Sequence, residues 1–135
     1  MRAALADTRV DSVTRARLLP AAVEIALAIR DETAAEQAAV ELQELVERYA
    51  TPVLQASAAT VRGALALYHG DFAASVRELR VATHTWLELH APGQLGPARL
   101  RLAEALDALG DRAGAELERA AAQDLAAGDR RGLLA

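Results

Sequence analysis

His69, His84 and His90, with 19 acidic side chains, are the groups in this 135-residue chain whose types serve proton transfer or metal binding. Their spacing argues against both uses. Histidine ligands on one helix face stand a turn apart, as in HxxxH, and no two of these three do. Carboxylate pairs such as Glu41 and Glu44, or Glu116 and Glu118, read as outward helix faces, because nothing beside them separates their proton affinities. The arginine pairs Arg77–Arg80 and Arg99–Arg101 are balanced by Glu78, Glu88 and Glu104, which speaks against a phosphate site. The sequence contains no GxSxG, no CxxC and no glycine-rich phosphate loop. It also has no cysteine, so disulfides, thiolate ligands and cysteine nucleophiles are excluded. The expectation is a noncatalytic chain with no cofactor and no metal.

The elements that position these residues show themselves as repetition. Arg30-Asp31, Gly70-Asp71 and Gly110-Asp111 fall 40 residues apart, and so do Pro52 and Pro92. Ala35, Ser75 and Ala115 are small in the same register, and Ala26, Ala66 and Leu106 are apolar. A fixed period of this size marks one supersecondary unit stacked on copies of itself, since a single unit cannot bury its apolar face alone. Hydrophobic residues make up 53% of the chain and aromatics only 3%, with alanine supplying much of the difference. Alanine costs no side-chain entropy in a helix and lets backbones approach closely.

Each unit reads as two antiparallel helices, giving three units of one domain at about 12–50, 52–90 and 92–128. In the first, a helix from Ser12 to Ile29 carries Pro20 and is expected to kink there. Its partner, Glu32 to Tyr49, sets Ala35, Ala39, Leu42, Leu45, Val46 and Tyr49 on one stripe. The second unit predicts helices over Pro52–His69 and Phe72–His90, the third over Pro97–Leu109 and Arg112–Ala127. Asp31, Asp71 and Asp111 suit N-caps. Gly70 and Gly110 suit the left-handed turn before them, whereas Arg30 in that place predicts a somewhat different first turn. Gly93, Gly96 and Pro97 are expected to shorten or loosen the start of the third unit. Residues 1 to 10 are expected as the last piece of an earlier helix lying over unit one. Period-two alternation is missing over any useful length. The fold class is all-α: a tetratricopeptide-like α-α superhelix of about three helix pairs.

Net charge of −4 and an isoelectric point near 5.4 argue against direct nucleic-acid binding, which needs a basic footprint. No segment reaches the roughly 18 consecutive apolar residues of a membrane span. The first residues meet Asp7 and Arg9 before any signal-peptide core develops. A cytoplasmic location is expected.

Leu102, Ala103, Leu106, Gly110, Asp111 and Ala115 resemble the tetratricopeptide pattern of small and large positions, as do Gly63, Gly70, Asp71, Phe72, Leu79 and Ala82. The spacing of 40 exceeds the usual 34. It is similar to the longer repeats in the C-terminal half of large LuxR-type transcriptional regulators of actinobacteria. The run from Arg15 through Pro20 to Ala28, Trp86-Leu87-Glu88-Leu89 and Ala105 to Asp111 resemble stretches of those proteins. In that family an ATPase module precedes the repeats and a helix-turn-helix domain follows; no Walker A loop occurs here. The resemblance implies a detached segment of such a regulator, or an independent relative of one.

In tetratricopeptide-like stacks the first helix of each pair lines a concave groove. That resemblance makes Arg17, Glu24, Thr60, Leu67, Tyr68, Glu104 and Asp107 the candidate groove residues, for docking a protein or peptide partner. Trp86 shares its register with Val46 and Ala126, so it is expected as a core anchor. His84, in register with Glu44 and Asp124, is expected at the surface, and His90 at a helix end. His69, in register with Ile29 and Leu109, is expected to be capped or partly buried. Leu117, Ala121, Ala122 and Leu125 form an uncovered last face, which predicts a homodimer through a terminal or groove surface. The alternative function is a small-ligand sensor closing near Tyr68, His69 and Trp86.

Overall fold

Five left-handed backbone positions, Arg30, Ala50, Gly70, His90 and Gly110, divide the chain into six helices. The computed structural model describes the backbone of residues 2–134 and the side chains of residues 14–16 and 18–128. The helices are α1 (Arg2–Ala28), α2 (Glu32–Tyr49), α3 (Pro52–Tyr68), α4 (Phe72–Glu88), α5 (Pro92–Ala108) and α6 (Arg112–Leu134). There are no strands among the described residues. The all-α class is correct, and the arrangement is consistent with a helical-repeat superhelix.

The helix boundaries follow from local chemistry. Asp31, Asp71 and Asp111 each accept an amide hydrogen bond from three residues ahead, at 3.1, 3.2 and 2.9 Å, and Thr51 does the same for Leu54 at 3.2 Å. Pro52 and Pro92 occupy the first turns of α3 and α5, where a missing N–H removes nothing. At four junctions one set of backbone bonds recurs. Asp31, Asp71, Ala91 and Asp111 donate back to the carbonyls of Ala26, Ala66, Trp86 and Leu106, at 2.7 to 3.0 Å. Arg30 (φ 62°) therefore adopts the same turn as Gly70 (φ 80°), and the different first turn expected from its side chain does not occur.

Two further expectations are corrected. α5 begins at Pro92, not Pro97, because Leu95 and Ala98 on either side are buried against Trp86 and hold the helix. Pro97 lies inside the helix and forgoes the i→i−4 bond to the Gly93 carbonyl. Residues 2–10 are part of α1 itself, which runs through Pro20, and are no separate piece.

The core is built of small residues. Ala35, Ser75 and Ala115 are all fully buried, each at the start of a second helix where it meets the first. Ser75 donates to the Gly63 carbonyl at 2.8 Å, an α4-to-α3 bond in the interior. A Cβ on Gly63 would stand 2.5 Å from Leu79 Cγ, so glycine sets how closely these two helices meet. Each helix packs on its neighbours in sequence, and α3 also touches α1 and α5. Among the described residues no Cα of α1 lies within 8 Å of α5.

Candidate functional site

One groove of about 950 Å³ opens between α1, α3 and α5, with Trp86 of α4 reaching it from behind. Its lining repeats by register. Pro20, Thr60 and Leu100 stand at one position, Ala21, Val61 and Arg101 at the next, and Glu24, Ala64 and Glu104 one turn on; Ser57 with Pro97 and Val53 with Gly93 extend the set. Equivalent faces of the three first helices thus turn the same way. The walls are mostly apolar and partly open: Ile25 is 65% exposed and Leu100 47%.

Trp86 is fixed rather than free. It is 3% exposed, and its Nε1 donates to Thr60 Oγ1 at 3.0 Å. Thr60 Oγ1 in turn donates to the Ala56 carbonyl one turn back, at 2.8 Å. The indole packs with Ala56, Ala59, Ala82, Leu95 and Ala98, so the core-anchor expectation holds.

Charge in the groove is concentrated in one cluster. Arg101 of α5 reaches Glu24 of α1 with two nitrogens, Nε lying 3.2 Å from Oε1, and also donates to Glu104 at 3.3 Å. These contacts connect two helices whose backbones do not meet. Burial is the largest single influence on Arg101 and lowers its pKa, but the hydrogen bonds and charges of Glu24 and Glu104 together outweigh it, and the pKa is raised.

Of the seven candidate groove residues, the groove contains Glu24, Thr60 and Glu104. Arg17, in register with Ser57 and Pro97, lies outside the described side chains. Leu67, Tyr68 and Asp107 do not line the groove. They belong to the next helical turn of the same stripe, beyond its end, and Asp107 pairs with Arg119 of α6. Arg101 and the apolar margin of Pro20, Ile25, Val53 and Leu100 were not among the candidates. The available signal was the register itself, since Arg101 is charged where Ala21 and Val61 are not.

The histidines stay apart. His84 is exposed and meets Glu88 at 3.0 Å, and His90 forms the α4–α5 turn with φ 53°. His69 is the C-cap of α3, its backbone N–H donating to the Leu65 carbonyl at 3.0 Å, and its side chain is exposed like its register mates Ile29 and Leu109. It lies 3.3 Å from Glu32 and edge-on to Tyr68. Tyr68 and His69 do not join Trp86 at the groove, so the three residues of the alternative ligand pocket do not converge. The expected end face is also altered: Ala122 is buried and Leu125 packs on the Trp86 cluster, leaving Leu117 exposed.

Among the described residues there is no group of three or more His, Asp or Glu arranged to hold a metal ion. No helix there is long and apolar enough to cross a membrane. No family model, no curated protein and no solved structure matches the chain.

Proposed function

We propose that this chain is a noncatalytic protein-interaction domain that docks an apolar helix or peptide segment in the α1–α3–α5 groove. The observation that carries this reading is the groove's register-matched wall of about 950 Å³, with Ile25 and Leu100 left facing solvent. Apolar surface of that kind, rimmed by a few polar groups, is what a helix-in-groove contact uses. The resemblance of its repeats to those of LuxR-type regulators supports a role in transcriptional regulation, acting through a protein partner rather than through nucleic acid or a membrane. A second copy of this chain would compete with that segment for the groove margin, since Ala122 and Leu125 of the last helix are turned inward.

A displayed library of helical peptides, selected on the full chain, tests the docking reading. Groove binders should lose at least about tenfold in affinity when Ile25 or Leu100 becomes serine, as central contacts do at interfaces. A library that yields no binders, or binders indifferent to both substitutions, overturns it. Sedimentation velocity over a concentration series reads the self-association separately, and a monomer throughout removes it.

A further inference from the structure

Among the described residues the groove carries an unbalanced charge. Its described ionisable residues are Glu24, Arg101 and Glu104, so two carboxylates face one guanidinium. Arg101 is already engaged by both. Glu24 is held by two guanidinium nitrogens, whereas Glu104 meets only one, at 3.3 and 3.4 Å. Glu104 is also the more open of the two, its side chain 53% exposed against 35% for Glu24.

This arrangement discriminates by sign. An acidic group entering the groove meets two carboxylates and gains Arg101 only by displacing one of them. A basic group entering at Glu104 displaces nothing. It extends the row of alternating charges, Glu24, Arg101, Glu104, by one more member. Like-charge juxtaposition is how interfaces reject wrong partners, and complementary charge is how they steer right ones. The chain's net charge of −4 acts in the same direction at long range.

Resting on the docking reading above, we propose that the groove selects a segment whose apolar face carries one basic side chain. That lysine or arginine sits against Glu104, and the Glu24–Arg101 pair stays closed beneath it. The apolar face covers Ile25, Val53 and Leu100.

The test uses three pools of displayed helical peptides of roughly 16 residues, about four turns. Each has a randomised apolar face and a central position fixed as Lys, Gln or Glu. Selection is on the full chain, with counter-selection on the Ile25→Ser, Leu100→Ser double variant to discard peptides bound elsewhere; both positions are exposed, so the core is left intact. The Lys pool should enrich at least about tenfold over the Glu pool, and its binders should weaken as salt is raised. Glu104→Gln should remove most of the difference in affinity between Lys and Gln peptides of the same sequence. Equal enrichment of the pools, enrichment of the Glu pool, or a Lys preference undiminished by Glu104→Gln overturns the charge rule and leaves docking standing. Failure of all three pools to give groove-dependent binders overturns the docking reading and this inference with it.

Discussion

Arg101 and Glu24 are separated by 77 residues of chain and joined by two hydrogen bonds, and they bridge helices whose backbones do not come together. A repeat stack normally holds each unit only by its neighbours. Here the first and third helix pairs have a direct link. Both side chains are more than a third exposed, so solvent screens the pair and its contribution to stability is at most about 1 kcal/mol. A double-mutant cycle with Glu24→Gln and Arg101→Gln, followed by urea unfolding, should return a coupling no larger than that. It should shrink further in high salt.

Thr60 is the partner of the buried Trp86 indole nitrogen. Thr60→Val keeps the shape and removes the acceptor, leaving the N–H unsatisfied. The expected loss is about 1–3 kcal/mol in denaturant unfolding, with altered emission from the single tryptophan. Thr60→Ser keeps the acceptor and should retain most of that stability.

Gly63→Ala should destabilise by about 1–3 kcal/mol, because the new methyl meets the branched end of Leu79 at less than contact distance. Leu79 is fully buried, so it has little room to withdraw. Leu79→Ala alone should also destabilise, by about 2–5 kcal/mol. The double variant should lose less than the sum of the two, as contacting residues do.

Arg30→Gly and His90→Gly should each stabilise the fold by about 1 kcal/mol, since both positions hold a left-handed backbone that costs a side-chain-bearing residue. Gly70→Ala should do the reverse by a similar amount, although no atom lies within 4 Å of its added Cβ. Thermal unfolding of the three variants separates this backbone effect from packing.

These positions also show where the residues of the chain spoke plainly. Asp31, Asp71 and Asp111 could be read as caps because capping is decided within one turn. Trp86 could be read as core because its register mates Val46 and Ala126 are apolar as well. Arg30 misled, because four junction hydrogen bonds outweigh the preference of a single side chain. Gly93, Gly96 and Pro97 misled because burial of Leu95 and Ala98 overrides weak local propensity. For the groove, the face was legible and its extent was not. Glu24, Thr60 and Glu104 lie in it, and Leu67, Tyr68 and Asp107 overshoot by a turn, since the length of a concavity depends on how successive pairs are rotated. The Glu24–Arg101 bridge has no local signature at all.

α3 touches four other helices, α1, α2, α4 and α5, and no other helix touches as many among the described residues. It also holds eight buried residues, from Leu54 to Ala64. Opening therefore has a direction. The α1–α2 pair can detach by breaking its contacts with α3 and the Glu24–Arg101 pair, and the α5–α6 pair by breaking its contacts with α3 and α4, while α3 and α4 remain paired around Gly63 and Ser75. Amide exchange should rank the same way, with the slowest protons in α3 and faster ones toward both ends. Because the floor of the groove is the last part to open and its two walls belong to the parts that open first, whatever occupies it clamps the outer pairs and raises their protection most.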